Sequence, residues 1–398
     1  MARHSFTSWF TLAIFALGGC KGTAGQGTAT ADRIQGVGVL IRDIGGERLL
    51  DADVVAAGTR NITDASGHLV FDQELPGLFP VVGELDGYTR TGSGPPVETE
   101  QLSATLLHLA PTESVAGGAQ VVFDDVQLEL PDGSVLDEVG EPFADAWTLQ
   151  ALRPEGDERW ATPGDAMLRY DDVLDKPITA FHPIYLQGHA DADGERLDVS
   201  DEAGAVLRFT LPADSPVQTD WRVVAYSMGS QRWSRGPRVV VSGGVVEAPL
   251  PRFGWIAFTE EDTARGCIEG HVVGEDASQA DGTEVRLLED GDVAGARAWV
   301  EGGRFCLPMG AGSTGQLQAL WYSPGHTKTG AASRTVTNDG TEGSSCGGTC
   351  YDVGSIVLEV GYDRDGDFYF GGPGGDCDDA DDSVSPSVAY GDGSWCGE

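Results

Sequence analysis

The sequence predicts an all-β protein of tandem small β-sandwich domains with an acidic, loop-rich C-terminal tail that binds metal. Glycine accounts for 57 of 398 residues, about twice its usual share of roughly 7%, which favours tight turns over long helices. Short β-branched and aromatic runs alternate with turn residues along the chain, as in sandwiches. The last 38 residues concentrate Asp, Gly and two cysteines, which indicates a loop-rich segment.

The charge of the chain excludes one class of partner. There are 63 acidic and 25 basic side chains, a net charge of −38. So large a negative charge excludes electrostatic binding of nucleic acid and argues against docking on anionic lipid through charge. Hydrophobic residues make up 40% of the chain, which is enough for packed cores.

Residues 1–19 are predicted to be a lipoprotein signal peptide. A basic start at Arg3 precedes an apolar run, Trp9–Leu17, which is too short to span a bilayer. The segment then ends in Leu-Gly-Gly-Cys, and this ending resembles the bacterial lipobox. An ordinary secretory signal with a chance cysteine is the alternative.

The lipobox resemblance implies that Cys20 becomes the acylated first residue and attaches the protein to a membrane. Lys21, where Asp would signal inner-membrane retention, points to the outer membrane of a Gram-negative bacterium. Residues 20–33 are small and polar, and are predicted to be a flexible tether.

Residues 34–111 are predicted to be the first sandwich. Strand-like runs at Val37–Arg42, Asp53–Ala57, His68–Phe71 and Leu102–Leu109 are separated by turn residues. This string resembles the carboxypeptidase regulatory-like, transthyretin-like module. The catalytic His-x-x-Glu pair of carboxypeptidases is absent, so the resemblance implies a sandwich without its enzyme.

Residues 112–262 are predicted to be a middle β-domain. Gln120–Leu130 alternates as a half-buried strand should, and the Trp-rich part resembles the globular region of cartilage intermediate layer proteins. Five tryptophans are predicted to be core anchors, with an aromatic sugar-binding platform as the alternative: Trp147, Trp160, Trp221, Trp233 and Trp255.

Residues 263–360 are predicted to be a second sandwich-like domain, linked by disulfides. Gly-Tyr-Thr-Arg-Thr-Gly at 87–92 is echoed by Gly-His-Thr-Lys-Thr-Gly at 325–330. The two hexamers begin 20 and 22 residues after Gly67 and Gly303. The order of the surrounding elements also matches, so a diverged repeat is predicted.

Six cysteines remain after Cys20, an even number that predicts disulfides in an exported chain, with 15 possible connectivities. Nearest-neighbour reasoning favours three pairs: Cys267–Cys306, Cys346–Cys350 and Cys377–Cys396. A zinc site is disfavoured, because no second Cys or His pair lies close to the Cys346–Cys350 pair in sequence.

Residues 361–398 are predicted to bind calcium. Alternating Asp363, Asp365 and Asp367 would present carboxylates to one side of a tight turn, and the backbone carbonyl of Tyr369 could add a ligand. No Glu stands at the last ligand position of an EF-hand loop that begins at Asp363. The remaining calcium ligands are therefore assigned to a second Asp group: Asp376, Asp378, Asp379 and Asp382.

This Asp pattern resembles a metal-binding repeat of deltaproteobacterial surface proteins, named for a copper-binding methanotroph protein, and thrombospondin type-3 calcium repeats. The second Cys-Asp block of the repeat is reduced to residues 391–396. Copper prefers imidazole or thioether ligands, and no His or Met follows His326, so calcium is the predicted metal. A disordered acidic tail is the alternative.

No catalytic residue is predicted, since no metalloprotease, serine-hydrolase, P-loop or dinucleotide-binding motif occurs. His182 and His189 are interpreted as ordinary histidines rather than a metal pair. The predicted function is that of an outer-membrane surface lipoprotein with a structural, adhesive or ligand-binding role and a protein or glycan partner. The alternative is a secreted carbohydrate-active or accessory binding protein with a site near residues 160–189, and buried tryptophans would favour the first.

Overall fold

The computed structural model describes residues 33–362 with internal gaps. The gaps fall at 35–36, 44–47, 57, 66, 72–74, 77–80, 87, 93–100, 107–108, 110, 117–118, 124, 164–166, 171–173, 201, 212–219, 229–231, 261–264, 275–279, 292, 323–327, 341, 343–345 and 347. Within these described residues the fold is all-β, as predicted, with one short 3-10 helix. No helical segment of this part has the length and apolar character of a membrane span.

The described residues of the first unit form nine strands: β1 (Arg33–Ile34), β2 (Val37–Asp43), β3 (Asp53–Ala56), β4 (Thr59–Ile62), β5 (His68–Phe71), β6 (Leu75–Pro76), β7 (Val81–Glu84), β8 (Thr91–Gly92) and β9 (Gln101–Leu106). One sheet has the order β5-β2-β9 and the other the order β4-β3-β7-β8, while β1 pairs with β6. Their inward residues, among them Val39, Ile41, Val54 and Phe71, form one buried core.

In the part of the middle unit that the structure describes there are a 3-10 helix (Gly156–Ala161) and fifteen strands: β10 (Pro111–Ala116), β11 (Ala119–Phe123), β12 (Val126–Leu130), β13 (Val135–Leu136), β14 (Ala146–Leu152), β15 (Met167–Tyr170), β16 (Leu174–Pro177), β17 (Phe181–Ala190), β18 (Arg196–Val199), β19 (Val206–Thr210), β20 (Trp221–Ser227), β21 (Arg232–Arg238), β22 (Val240–Ser242), β23 (Val245–Pro249) and β24 (Gly254–Glu260). A five-stranded sheet, β11-β12-β19-β23-β22, covers one face of a ten-stranded sheet with β17, β24 and β20 at its centre.

The large sheet is buried on both faces at its centre. Trp221, Ile256 and Phe258 point to the core shared with the five-stranded sheet. Tyr185 and Trp255 belong to a separate cluster on the other face. This double burial explains why β20 and β24 are almost continuously apolar instead of alternating.

The C-terminal unit, as far as it is described up to residue 362, contains eight strands: β25 (Gly266–Val273), β26 (Glu284–Glu289), β27 (Ala296–Trp299), β28 (Arg304–Met309), β29 (Thr314–Tyr322), β30 (Lys328–Thr337), β31 (Tyr351–Val357) and β32 (Glu359–Tyr362). The sheets are β28-β25-β31 and β27-β26-β29-β30-β32.

The first and C-terminal units have the same strand order. In each, the first long strand (β2, β25) pairs antiparallel with the strand three places further along the chain (β5, β28) and parallel with a later strand (β9, β31). The second sheets, β4-β3-β7-β8 and β27-β26-β29-β30, also correspond, and β32 extends the latter.

Backbone hydrogen bonds match position by position. Ile41 N–H donates to Gly67 O, and Val272 N–H donates to Gly303 O, both at 2.9 Å. Gly67 and Gly303 have φ of 65° and 73°, which favour glycine. Gly87 and residues 325–327 of the two hexamers lie outside the described residues.

Candidate functional site

One cleft among the described residues has a volume of about 750 Å³ and is lined by the middle unit and one residue of the first sandwich, Arg90. Loop 136–140, strands β17 and β18 and the ends of β20 and β24 form its walls. Clefts at domain junctions are frequent ligand sites. We therefore take this cleft as the candidate site.

Three arginines and three acidic residues line the cleft: Arg90, Arg196, Arg252, Asp137, Glu138 and Asp198. Glu84, on β7, pairs with both Arg90 (3.5 Å) and Arg196. Asp198 Oδ1 accepts a hydrogen bond from Phe253 N at 2.8 Å. The walls therefore present both donors and acceptors, and some of these groups also hold the junction together.

A buried hydrogen-bond chain forms the floor of the cleft. The Tyr185 hydroxyl accepts from Arg90 N at 2.9 Å and donates to the Gln187 amide oxygen. Trp255 Nε1 donates to Arg90 O at 3.0 Å. Burial raises the pKa of Tyr185 to about 12, so its hydroxyl stays neutral at physiological pH and serves as a positioning group.

A second junction joins the C-terminal unit to the middle unit through buried arginines. Arg265 pairs with Glu289 and donates to Ile178 O at 2.9 Å. Burial lowers the pKa of Arg265 to about 9, which leaves it protonated at neutral pH. Arg159 reaches across from the 3-10 helix to the carbonyl oxygens of Gly291 and Val293.

Glu284 lies at the centre of the same junction and is fully buried. Arg286 contacts both of its carboxylate oxygens, at 2.9 and 3.0 Å. Arg297 approaches it at 3.5 Å and donates to Trp160 O at 2.9 Å. Burial lowers the pKa of Arg297 to about 10. Strand β26 therefore contributes charged residues to a junction.

The predicted tryptophan anchors are confirmed at four of five positions. Trp147, Trp221, Trp233 and Trp255 are all buried at 1% exposure or less. Trp160 is only partly buried, in the 3-10 helix. None of the four buried rings is available as a sugar-binding platform.

His182 and His189 lie seven residues apart on β17, about 23 Å along an extended strand. His182 contacts the Phe209 and Trp221 rings, with centroids 5.5 Å apart in each case. His189 Nδ1 lies 3.2 Å from Gly194 O. The two rings do not form a shared metal site, in agreement with the interpretation as ordinary histidines.

The structure corrects the predicted cysteine pairing. The disulfides are Cys267–Cys350 and Cys306–Cys346, not Cys267–Cys306 and Cys346–Cys350. Ile268 lies opposite Tyr351 in the parallel register, which places Cys267 next to Cys350, with Cα atoms 4.9 Å apart.

The antiparallel register explains why the predicted pair does not form. Cys267 lies opposite Pro308, and Cys306 lies opposite Glu269. Cys267 and Cys306 are therefore diagonal neighbours, about 7–8 Å apart in a typical sheet, beyond the usual disulfide span of about 4.4–6.8 Å. Pairing follows spatial register rather than sequence distance.

Several predicted site residues lie outside the described residues. These are the lipidation residue Cys20, the proposed calcium ligands Asp363, Asp365, Asp367, Tyr369, Asp376, Asp378, Asp379 and Asp382, and the cysteines Cys377 and Cys396. Within the described part, one group of three residues of a metal-binding type lies close together: Cys267, Cys306 and Cys350. All three are oxidised in disulfides and do not constitute a calcium site.

Sequence reasoning missed the junction arginines. Arg265 and Arg297 are buried beside Glu289 and Glu284 respectively. The available signal was a charged residue inside a small or apolar run, as in Ala294–Val300. Arginine is usually exposed, and only contact with another unit buries these two.

No family model matches the chain, and no curated protein matches it. Among solved structures, the major pilin subunit BcpA of Bacillus cereus is 11% identical, with 82% of this chain and 99% of that chain covered and a TM-score of 0.18. The major pilin SpaD of Corynebacterium diphtheriae is 8% identical, with 84% and 99% covered and a TM-score of 0.16. The Bacillus anthracis TIE protein is also 8% identical, with 83% and 51% covered and a TM-score of 0.16. At such TM-scores the likeness carries no argument about function.

Proposed function

We propose that the chain is a structural or adhesive protein of the bacterial cell surface, attached to the outer membrane through acylated Cys20 and stabilised by calcium at its C-terminal end. One observation carries the structural role: both sandwiches dock on the middle unit through buried side chains. The buried Trp255 Nε1 donates to the Arg90 backbone carbonyl at one junction, and the buried Arg265 and Arg297 donate to backbone carbonyls of the middle unit at the other. Such junctions favour a fixed arrangement of three units over independent motion.

The burial of four tryptophans supports the same role, because these four rings pack in cores and are not available to stack on a sugar. Within the described residues, five buried charged groups also lie at the junction of the C-terminal unit with the middle unit: Arg265, Glu284, Arg286, Glu289 and Arg297. Their partners are backbone carbonyls and other side chains of the protein. These groups serve assembly of the three units.

The anchoring proposal is tested in cells that export the full chain. We expect the wild-type protein in the outer-membrane fraction with an acylated N-terminal cysteine, and Cys20→Ala as unprocessed precursor. Thr23→Ala is the control, since it alters the adjacent tether and leaves the lipobox cysteine and the disulfides intact. Mature wild-type protein with an unmodified N-terminus would contradict anchoring.

The calcium proposal rests on eight Asp against one Arg between residues 363 and 382, a repulsion that a divalent cation would relieve. We expect calcium to bind the full chain with a Kd of about 10⁻⁴–10⁻³ M, typical of extracellular sites. Calorimetry with Asp365→Ala and Asp367→Ala should show the heat reduced in both variants. Equal heat in all three proteins would place calcium elsewhere, and no heat would reject the site.

A second candidate function is binding of a surface glycan in the cleft. The cleft volume and the mixture of guanidinium, carboxylate and amide groups on its walls favour it. Arg252→Ala should weaken glycan binding at least tenfold, about 1.4 kcal/mol, while the exposed Arg238→Ala should not. Equal binding by both variants, or none by the wild type on a broad glycan array, would reject it.

A further inference from the structure

The two disulfides of the C-terminal unit are in contact with each other. Cys306 Sγ lies 3.4 Å from Cys350 Sγ, although the two atoms belong to different disulfides. The sulfurs of Cys267, Cys306 and Cys350 all lie within 4.8 Å of one another. Thiolates attack disulfide sulfurs directly, so this spacing brings potential exchange partners together.

The two disulfides differ in exposure. Cys267 and Cys350 are buried, with 1% and 8% of their surface exposed, whereas Cys306 and Cys346 are partly exposed. Cys346 precedes β31 in a connecting segment, while Cys306 lies on β28 against Cys350. A small external thiol therefore reaches the Cys306–Cys346 bond more readily than the buried Cys267–Cys350 bond, and Cys346, which lies outside the sheet, is the sulfur that we take as its point of attack.

We propose that the four cysteines form a thiol-exchange site, with Cys346 as the residue that takes up an external low-molecular-weight thiol. The external thiolate attacks Cys346 Sγ, a mixed disulfide forms, the Cys306–Cys346 bond breaks and Cys306 leaves as a thiolate. The Cys306 thiolate then attacks Cys350 Sγ. The Cys306–Cys350 bond forms, the Cys267–Cys350 bond breaks, and Cys267 leaves as a thiolate that takes a proton from water.

Both steps are exchanges, so the number of disulfides and thiols is conserved. The buried position of Cys267 sets the direction of the second step, because burial disfavours its thiolate and makes it a poor leaving group. The equilibrium therefore favours the native Cys267–Cys350 pair. A chain that first forms Cys306–Cys350 during export has a local route to the native pairing.

The experiment uses the oxidised full chain with a small excess of glutathione near pH 8, where a useful fraction of thiol is ionised. Samples are quenched with acid, alkylated and mapped by mass spectrometry. We expect glutathione on Cys346, accompanied by a population with Cys306–Cys350 linked and Cys267 alkylated. Glutathione first on another of the four cysteines, or Cys306 alone alkylated at every time, would overturn the proposal.

Two serine variants separate exchange from general loosening of the unit. Cys346→Ser leaves the Cys306 thiol beside the inner disulfide, whereas Cys306→Ser leaves a thiol at Cys346 instead. We expect alkylation of Cys267 to be at least about tenfold faster in Cys346→Ser, because the reaction is intramolecular and aligned. Equal rates would overturn the exchange step. If either variant fails to fold, the wild-type mapping decides.

Discussion

The first and C-terminal sandwiches carry an ion pair at the same position of the fold, in opposite surroundings. Asp53 begins β3 and Glu284 begins β26, the strand that follows the first long strand in each unit. Arg60 lies on β4 and Arg297 on β27, the strands that come next. Arg60–Asp53 spans 3.8 Å with side-chain exposures of 66% and 38%. Arg297–Glu284 spans 3.5 Å with exposures of 2% and 0%.

The difference arises from docking rather than from strand order. Arg297 also donates to Trp160 O and Thr162 O of the middle unit, so this edge of the C-terminal sandwich is covered. The first sandwich instead docks through Arg90 and through Thr91, whose hydroxyl donates to Ala161 O. Two units with one topology therefore use different edges, and the same ion pair is an exposed contact in one and a buried junction in the other.

The largest expected loss of stability comes from neutralising Glu284, the carboxylate of the buried ion pair. Glu284→Gln leaves Arg286 and Arg297 buried without their carboxylate, and we expect a loss of about 3–5 kcal/mol in the free energy of unfolding. Asp53→Asn, its matched control, should cost less than about 1 kcal/mol. Urea denaturation of both variants measures the contrast, and similar losses would contradict it.

The next largest effect is expected from reduction of the disulfides, which should destabilise the C-terminal sandwich and leave the first sandwich unchanged. The chain-entropy relation gives about 4 kcal/mol for loops of this size, since the bonds join residues 83 and 40 positions apart. Hydrogen exchange should accelerate across β25–β31 after reduction and stay unchanged across β2–β9. Equal acceleration in both units would show that the disulfides do not act locally.

High pH should weaken the junction of the first sandwich through Tyr185. Its folded pKa of about 12 lies above the ordinary value of 10.0, so the stability it provides is present below pH 10 and is lost between pH 10 and 12. The expected loss is about 2–3 kcal/mol, absent in Tyr185→Phe. Burial lowers the pKa values of Arg265 and Arg297 in the folded state, so their contribution to the free energy of unfolding rises with pH. The junction between the C-terminal and middle units therefore does not share this loss. Parallel pH curves for wild type and variant would contradict the assignment.

The smallest expected difference in stability between the two units comes from the hydroxyl of Thr63. Thr63 Oγ1 accepts from Ala52 N at 2.9 Å and donates to Leu49 O at 2.6 Å, at the position that Val300 occupies in the C-terminal unit. Thr63→Val should cost about 1–3 kcal/mol, because it leaves a buried N–H unpaired. Thr283→Val, which removes one bond to Ala280 O, should cost less. Thermal unfolding ranks the two, and a larger cost for Thr283→Val would reverse the expectation.

The sequence by itself determined the all-β class and the four tryptophan anchors that are buried. Turn residues and short β-branched runs act over a few neighbours, so they can be interpreted locally. The large apolar area of Trp also makes burial the usual outcome wherever a core forms. Strand order, in contrast, depends on contacts between residues far apart in the chain.

Only the tertiary structure decided the disulfide pairs, the buried arginines and the cleft. Cys267 joins Cys350 across 83 positions because β25 and β31 are parallel neighbours, and no local pattern specifies that register. Glu284 and Asp53 have equivalent places and opposite burial because a neighbouring unit covers only one of them. The physical reason is common to all three features: local preference is set by a residue's near neighbours, whereas pairing and desolvation are set by whichever distant segment packs against it.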